Sequence, residues 1–498
     1  MNQPIDRVKR LLGESAIYGL GTVLSRFIGI ILLPVLTRML SQSEYGLLDL
    51  LMTISALTFV ICELQIISGV SRAYYDSKKV NALQILIGTS LCLYVLASSM
   101  AIVVGAVIYN IIKFEVIGHV TWVHVLPVLM LIFPMAIFGL GQLILRFESR
   151  ARTFIFFTSI ELATTVFFSL ISVVIFDLGV PGVLFSQLFS KIIWSMLIVI
   201  HLKNSFTLKF DGGFAKGILS YGIPLMPAVL TKWGQGNAGK FILLISLSLS
   251  DIAIYGVAIR IAANVAMLDS AFRMAWDPMA TRLFGEDNSE SVFSDVFSFY
   301  LASMSFYCLV VAAFGAPISQ LVAGQEYRSA GALIGFISFG LLWNGSANFL
   351  ASGNGWERKT YWNGIGFSLG VIVNLSVLFF TAPKFGLITA GYTYLGGTLT
   401  AVIIVFYTAQ INHKIPYRIS EIITAILISI SMSILCSYLD QTGYFISFGT
   451  FTEYFIRSMM VLMPMIVVVY IPLKRFKLCS LVKDYYLSTI SQTKNRMS

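Results

Sequence analysis

The sequence has few charged residues, and this shortage decides what class of protein it encodes. Charged side chains make up 12% of the 498 residues, against roughly 25% in a typical soluble domain. Hydrophobic residues make up 57%, which is more apolar surface than a soluble chain of this length can bury. The composition therefore excludes a soluble enzyme and indicates a protein whose solvent is a lipid bilayer.

Cysteine and histidine are also scarce, which argues against disulfide and metal chemistry. The five cysteines include no CxxC pair, and the four histidines lie near predicted helix ends. The stretch 234–240 matches the first seven positions of a phosphate-binding loop, but Phe241 stands where that loop needs Ser or Thr. We expect no metal, no nucleotide and no other cofactor.

Long runs without a charged side chain mark the membrane-spanning segments. The runs 81–112, 296–325, 329–356, 360–383 and 385–412 contain no Asp, Glu, Lys or Arg. Each exceeds the roughly 20 residues that cross a hydrocarbon core as a helix. The breaks between apolar runs predict an all-α polytopic membrane protein with about fourteen helices, at 15–37, 47–70, 83–112, 121–145, 153–176, 182–201, 218–244, 252–273, 292–316, 329–350, 361–382, 386–410, 420–438 and 454–473.

Lysine and arginine are distributed unevenly between the two sides of this predicted topology. With the N-terminus inside the cell, 24 of the 34 lie in cytoplasmic segments, four lie outside and six lie within helices. Because positive residues favour the cytoplasmic side, both termini are predicted to be cytoplasmic. The net charge of +10 is explained by this topology, so we expect no nucleic-acid partner.

A faint internal repeat suggests how the helices are grouped. A Tyr-Gly pair, a cation in mid-helix and a second Tyr-Gly pair occur in that order twice, as Tyr18-Gly19, Arg26 and Tyr45-Gly46, then as Tyr221-Gly222, Lys232 and Tyr255-Gly256. Parallel repeats of six helices produce such an echo. We predict two six-helix lobes, 1–210 and 211–412, followed by two extra helices and a basic tail at 413–498.

Several stretches carry a family resemblance. They are YGLGTVLSRFIG at 18–29, Pro34, LSQSEYG at 40–46, LSYGIPLMP at 219–227, IYG at 254–256 and AWDP at 275–278. Together they resemble Wzx-type polysaccharide flippases of the multidrug/oligosaccharidyl-lipid/polysaccharide exporter superfamily, over essentially the whole chain. Relatives often carry an Asp-Arg pair late in helix seven, where this chain has Gly239-Lys240. The cation is kept there without a neighbouring acid.

The resemblance implies both a fold and a function. The two lobes would surround a central cavity lined by helices 1, 2, 7 and 8. An undecaprenyl-pyrophosphate-linked oligosaccharide would pass by alternating access from the cytoplasmic to the periplasmic leaflet of the cell inner membrane. The implied partners are that lipid-linked oligosaccharide, the bilayer, and the polysaccharide polymerase and glycosyltransferases of the same pathway. The glycan, the coupling ion and the oligomeric state stay open.

Charged residues inside predicted helices are the candidate site residues, because a charge in mid-membrane usually faces a cavity or a partner. The candidate ligands of the pyrophosphate are Arg26, Lys232, Arg260 and Lys240. The alternative is that these cations pair with Glu63, Glu161 or Asp269, which are also candidates for ion coupling. Lys191 is open to either interpretation. Arg457, near the outer end of the last helix, is expected to extend its head to the membrane surface.

Prolines and glycines in helices one and seven are candidate hinge residues. They are Pro34, Pro224, Pro227, Gly234 and Gly236. Proline removes a backbone hydrogen bond and glycine permits unusual dihedral angles, so both helices are expected to bend as the lobes rock. The alternative is that the glycines only allow close helix packing.

Two other functions compete with the flippase. An ion-coupled multidrug antiporter of the same superfamily is the main alternative, although such a protein should favour an acidic cavity. The mid-membrane residues counted here are six Lys or Arg against three Asp or Glu. A membrane enzyme such as a polymerase or ligase is excluded more firmly, because it needs a catalytic loop on the periplasmic face. The longest outer loop, about 439–453, contains only Asp440 and Glu453 and no His.

Overall fold

The computed structural model describes residues 31–79, 82–112, 120–283, 289–442 and 450–465, and this part of the chain is helical without any strand. Within it, twelve helices are long and apolar enough to cross a membrane. They match the second to thirteenth predicted helices one by one, so the all-α polytopic membrane fold is confirmed. The first and fourteenth predicted helices lie partly outside the described residues, and 31–39 and 450–465 are helical.

The chain forms two compact units that divide after Gly256, apart from Val322–Gly324, which belongs to the first unit. After the helical stretch 31–39, the α-helices of the first unit are α1 (Gln42–Glu63), α2 (Ile66–Lys79), α3 (Leu83–Ile112), α4 (Trp122–Met130), α5 (Ile132–Phe147), α6 (Ala151–Leu170), α7 (Gly179–His201), α8 (Gly212–Gly222), α9 (Met226–Asn237) and α10 (Gly239–Ser246). The division falls inside α11 (Leu249–Leu283). The predicted division into two six-helix lobes, 1–210 and 211–412, and a C-terminal segment, 413–498, is a grouping of helices by repeat and not by contacts. It stays a prediction.

The second unit contains the remainder of α11 and eight further helices of the described chain. These are α12 (Ser289–Ala313), α13 (Gly315–Ala323), α14 (Gly331–Leu350), α15 (Ser352–Trp356), α16 (Tyr361–Phe385), α17 (Thr389–Asn412), α18 (Ile419–Gln441) and α19 (Thr450–Met465). Its core is rich in aromatic side chains, among them the buried Trp343, Phe297 and Phe349.

Helices α1 and α11 begin with the same chemistry. The Ser41 hydroxyl accepts the N–H of Glu44 at 3.3 Å, and the Glu44 carboxylate accepts the N–H of Ser41 at 2.9 Å. Ser248 and Asp251 repeat this exchange at 3.2 and 3.1 Å. Such a capping box satisfies N–H groups that a helix start leaves without partners. The two caps fix where two membrane helices begin, one in each predicted repeat.

The second membrane span is broken in its interior. Helix α1 ends at Glu63, and the next two residues, Leu64 and Gln65, have φ angles of 46° and 54°. This left-handed conformation costs a non-glycine residue roughly 1–2 kcal/mol. The Gln65 amide donates to the Glu63 carboxylate at 3.2 Å and accepts the Ser68 hydroxyl at 2.9 Å. These side-chain bonds stabilise the break.

The seventh span is also built in pieces. A short 3-10 segment, Ile223–Leu225, separates α8 from α9 and contains Pro224. Pro227 lies in the first turn of α9, where its missing N–H costs little. Gly234 and Gly236 lie inside α9, which is continuous there, and a turn at Ala238 separates α9 from α10.

The hinge candidates thus occupy different settings, and their roles in motion stay predictions. Pro224 and Pro227 adjoin an irregular segment, whereas Gly234 and Gly236 occupy a regular helix. Pro34 lies within the helical stretch 31–39. The described irregularities of the seventh span are therefore the 3-10 segment and the turn at Ala238.

The breaks of the second and seventh spans pack against each other. A Cβ added at Gly222 would stand 2.5 Å from the carbonyl oxygen of Leu64. On the next turns, a Cβ at Gly69 would stand 2.7 Å from the carbonyl oxygen of Ile218. The guanidinium of Arg72 lies 5.0 Å from the centre of the Tyr221 ring, a cation–π contact. Glycine is required at both close contacts, because any side chain would meet backbone.

Arg457 in α19 is completely buried, so the expectation that it extends to the membrane surface is wrong. Its guanidinium lies 2.6 Å from Asp440 and 3.0 Å from Glu453, and it also donates to the carbonyl oxygen of Ala313. Arg328 reaches the same Glu453 at 2.6 Å. Two cations and two carboxylates thereby connect α19 to the ends of α12 and α18.

We predict that Gly222→Ala destabilises the protein and that Gly217→Ala, on the same helix, does not. The methyl group added at position 222 would overlap the Leu64 carbonyl, and overpacking of this kind costs about 1–3 kcal/mol. A Cβ at Gly217 meets nothing within 4 Å, so only the better helix propensity of alanine acts there. Thermal unfolding of the purified variants in detergent measures the difference. Equal unfolding temperatures would contradict the packing of the two breaks.

Candidate functional site

The seventh span carries a buried ion pair with the second span. The Lys240 ammonium lies 2.6 Å from a carboxylate oxygen of Asp49 and 3.1 Å from the hydroxyl of Thr53. Asp49 and Lys240 are 3% and 5% exposed. Thr53 donates its own proton to the Asp49 carbonyl at 2.7 Å, which leaves its hydroxyl oxygen free to accept from Lys240. The ammonium therefore has two oxygen partners on successive turns of α1.

Asp49 is the residue that the sequence analysis missed. It lies near the start of the second predicted helix, where it was not counted among the mid-membrane acids. Lys240 has Gly239 where relatives often have an acid as its neighbour in sequence, and here the second helix supplies the acid, Asp49, instead. In the described conformation the Lys240 ammonium contacts Asp49 and Thr53, and its role as a substrate ligand stays a prediction.

Two glycines allow α1 and the start of α11 to approach closely around this pair. A Cβ at Gly46 would overlap the carbonyl oxygen of Leu249, and it would stand 3.3 Å from the Ala253 nitrogen. A Cβ at Gly256 would stand 2.6 Å from a carboxylate oxygen of Asp49. The Asp49 carboxylate thus lies between the ammonium of α10 and the bare backbone at Gly256.

The packing of α1 against α11 has a regular register. Ala253 follows Gly46, and Gly256 follows Asp49, by the same 207 positions that separate the two capping serines. The first turns of α1 and α11 therefore lie side by side at equal distances from their caps. The Tyr-Gly pairs do not keep this spacing, because the first pairs of the two repeats are 203 positions apart and the second pairs are 210 positions apart.

The other candidate cations are placed differently. Lys232 is exposed on α9, in the middle of a span that otherwise consists largely of apolar residues. Arg260, in the part of α11 that belongs to the second unit, is also exposed. Arg26 lies outside the described residues, and its role as a ligand of the pyrophosphate stays a prediction.

Glu161 and Lys191 form a second ion pair inside the first unit. The Lys191 ammonium lies 2.7 Å from the Glu161 carboxylate and 4.7 Å from the centre of the Phe138 ring. Thr165 donates to the same carboxylate at 3.3 Å. This pair joins α6 to α7 and satisfies both charges, which explains how Lys191 is accommodated in the middle of a span.

Among the described residues, each of the remaining candidate carboxylates accepts a hydrogen bond from a neutral side chain. Glu63 accepts the Gln65 amide at the break of the second span. In the second unit, Asp269 accepts the Tyr300 hydroxyl at 2.8 Å. A Cβ at Gly345 would stand 2.5 Å from an Asp269 oxygen, so Gly345 provides the space for this carboxylate.

Comparison with known proteins identifies the family. The family described as "Polysaccharide biosynthesis protein" matches residues 35–328, well over half of the chain. The chain belongs to the polysaccharide biosynthesis protein family. The matched residues include the Asp49–Lys240 pair and both glycines beside it. No curated protein matches the sequence.

This family member shares its fold with solved transport proteins. The lipid II flippase MurJ, in an inward closed conformation, is 12% identical with a TM-score of 0.68, over 91% of this chain and 98% of that one. A mutant of the Vibrio cholerae MATE transporter VcmN is 14% identical with a TM-score of 0.53, over 82% and 98%. A MATE structure in the straight conformation is 15% identical with a TM-score of 0.52, over 81% and 95%.

At these identities the likeness establishes the fold. The three neighbours are a flippase and MATE transporters, in agreement with the expectation of a transporter fold rather than an enzyme. The polysaccharide biosynthesis family member is thus a multi-pass membrane protein with a transporter fold, in which a buried ion pair joins its second and seventh spans.

We predict that Lys240→Met lowers the stability of this protein by about 3–5 kcal/mol, because it leaves the Asp49 carboxylate buried without a cation. Combining it with Asp49→Asn should recover most of the loss, since the buried negative charge is then removed. Lys232→Met, the same change at an exposed position, should have little effect. Unfolding temperatures in detergent measure all three. A double variant no more stable than Lys240→Met would contradict the pairing.

Proposed function

We propose that this protein is a flippase that transfers an undecaprenyl-pyrophosphate-linked oligosaccharide from the cytoplasmic to the periplasmic leaflet by alternating access. In this proposal it lies in the cell inner membrane with both termini in the cytoplasm. The family's place in polysaccharide biosynthesis and the fold shared with a lipid II flippase support a lipid-linked glycan as the cargo. The pathway's polymerase and glycosyltransferases are its proposed partners.

The observation that carries the proposal is the exposed lysine in the seventh span. Lys232 stands roughly midway between the start of α8 at Gly212 and the end of α10 at Ser246, and its side chain is exposed. An ammonium that faced hydrocarbon at this depth would cost about 2.5–3.5 kcal/mol on insertion scales. A water-filled cavity or an anionic ligand removes that cost. A pyrophosphate, with two or more negative charges, suits such a position.

Other cations complete the proposed binding site. We assign Arg26 and Arg260 to the pyrophosphate together with Lys232, because one guanidinium group can donate to two phosphate oxygens at once. Lys240 would join them only when its bond to Asp49 is broken. Glu63, which accepts the Gln65 amide, and Asp269, which accepts the Tyr300 hydroxyl, are the proposed carboxylates for a coupling ion. Glu161 serves Lys191 as a structural partner in this proposal.

The Asp49–Lys240 pair has a proposed role in the transport cycle. With cytoplasmic termini, α1 and α11 both begin at the periplasmic side, where Gly46 and Gly256 let them pack tightly. An outward-open state needs these helix ends to separate. We propose that the ion pair holds this outer gate closed and parts when the substrate leaves.

The second candidate function is an ion-coupled multidrug antiporter, because two MATE structures share the fold. The cations within the spans favour an anionic cargo over the cationic drugs that such antiporters export. Vesicles that contain the purified protein distinguish the two, since each cargo can be offered separately.

Transport of a fluorescent polyprenyl-pyrophosphate oligosaccharide in reconstituted vesicles tests the proposal. The headgroup is followed by its exposure to a membrane-impermeant glycosidase. We expect Lys232→Ala to slow transfer about tenfold, which corresponds to an increase of about 1.4 kcal/mol in the barrier to transfer. Arg26→Ala should abolish transfer, and Arg26→Lys should retain part of it because the charge survives.

Lys203→Ala is the matched control, because Lys203 is exposed in a loop outside the spans, and it should transfer at the wild-type rate. If Arg26 only neutralises Glu63, then Arg26→Ala combined with Glu63→Ala would restore transfer, and Arg26 would be withdrawn as a ligand. Wild-type vesicles that export cationic dyes but transfer no lipid-linked oligosaccharide would overturn the flippase in favour of the antiporter.

A further inference from the structure

Helix α14 in the second unit is enclosed by other helices over nearly its whole surface. Helices α12, α17 and α18 pack against it, and all of its residues are buried except three. Two of the three, Leu341 and Asn344, are half-buried, and the third, Asn348, is exposed. Residues three and four positions apart lie on one side of a helix. These three therefore form a single narrow opening, which we call the amide face.

The amide face does not meet lipid. A lipid-facing helix of the same unit, α16, exposes apolar side chains such as Ile372 and Phe380. In α14, which the structure describes throughout, no apolar side chain is exposed. The first charged residue after α14 is Glu357, nine positions beyond Asn348 and about 14 Å away at 1.5 Å per residue. Asn348 therefore lies inside the span, and an amide at this depth requires polar partners.

Asn348 has hydrogen-bonding capacity left for an occupant. One N–H of its side chain donates to the carbonyl oxygen of Asn344 at 3.0 Å. Among the described residues this is the one hydrogen bond of that side chain, so its second N–H and its oxygen can bind another molecule. An amide that offers a donor and an acceptor together matches a hydroxyl group, which also donates and accepts.

The charges around the amide face disfavour an anion. The stretch 329–356, which contains α14, has no charged residue. The nearest described charge is the Asp269 carboxylate of α11, since a Cβ at Gly345 would stand 2.5 Å from one of its oxygens. Gly345 directly follows Asn344 and lies one helical turn from Asn348. A carboxylate accepts hydrogen bonds from hydroxyls but repels a phosphate. The face therefore suits a neutral ligand that is rich in hydroxyls.

We propose that the amide face binds sugar residues of the transported lipid. The inference rests on the proposed function, which supplies an oligosaccharide headgroup. Arg260, assigned above to the pyrophosphate, lies nine positions before Asp269 on α11, which is about 14 Å along the helix axis. In the proposed orientation, Asp269 and the amide face lie on the cytoplasmic side of Arg260. A pyrophosphate at Arg260 therefore leaves its sugars to extend along α11 towards the amide face.

A second exposed asparagine provides a matched control. Asn348→Leu keeps the approximate size of the side chain and removes its hydrogen bonds. Asn110 on α3, in the first unit, is also exposed, and its amide donates to the carbonyl oxygen of Ala106 at 2.9 Å, the same contact one helical turn back. Asn110→Leu therefore reproduces any general effect of replacing an exposed helical asparagine by leucine. Asn348→Gln keeps an amide at the proposed site.

Binding of two lipids that differ only in the sugar tests the proposal. One probe is a polyprenyl pyrophosphate that carries a neutral tetrasaccharide, and the other is the same polyprenyl pyrophosphate without sugar. Native mass spectrometry of the purified protein gives the Kd of each. We expect the wild type to bind the sugar-bearing probe at least tenfold more tightly than the bare probe.

The variants should separate the sugar from the pyrophosphate. We expect Asn348→Leu to reduce the preference for the sugar-bearing probe to less than twofold and to leave the Kd of the bare probe within twofold of wild type. Asn348→Gln should keep part of the preference, and Asn110→Leu should keep all of it. Lys232→Ala should weaken the binding of both probes, because both carry the pyrophosphate.

Three results would overturn the proposal. The first is a wild type without preference for the sugar-bearing probe. The second is an equal loss of both probes in Asn348→Leu, because this residue would then support the fold or the pyrophosphate site. The third is unchanged binding in Asn348→Leu, because the face would then hold water alone. The flippase proposal fails separately, through absent transfer of the lipid-linked oligosaccharide by wild-type protein. A sugar preference that Asn348→Leu removes, in a protein that transfers nothing, would support the amide face and contradict the flippase.

Discussion

The contact between Asp49 and Lys240 is the constraint around which the first unit is organised. Both charges are buried inside a protein that has lipid as its solvent, so neither can turn to water without moving a helix. Removing one partner is costly, because the other remains as an uncompensated charge. The surrounding sequence serves this contact: Thr53 supplies a second oxygen, and Gly256 leaves space beside the carboxylate. An interaction of this kind favours two discrete arrangements, made or broken, over a graded one.

The helix breaks complement the ion pair. Helices α1 and α2 meet at the left-handed residues Leu64 and Gln65, and this point packs on Gly222 beside the 3-10 segment of the seventh span. The second and seventh spans therefore contact each other both at the ion pair and at their irregular segments. Helix α1 carries Asp49 and ends at the left-handed residues, so one helix connects both contacts. The second unit has its own buried network at Arg457, which joins α19 to α12 and α18.

The sequence predicted the spans well because apolar runs of about 20 residues have few alternatives to a membrane helix. It predicted the individual contacts less well. Asp49 was overlooked because an acid near a helix start is usually a cap or a surface residue, and only the packing of another span against it buries it. Arg457 was misjudged because its partner Asp440 lies in a different helix, α18, which only the fold brings beside α19. The common register of the capping serines with Gly46 and Gly256 appears only when the two helices lie together.

The central claim is that the outer ends of α1 and α10 are held together by the ion pair and separate during transport. Spin labels are attached at Ser43→Cys and Ser246→Cys, two exposed positions near those ends, in a variant without the five native cysteines. Pulsed electron–electron double resonance then measures the distance between the two labels. We expect one short distance in the resting protein and a second, longer population when lipid-linked oligosaccharide is added. Asp49→Asn should populate the longer distance without substrate. An unchanged single distance in a sample that transports substrate would contradict the account.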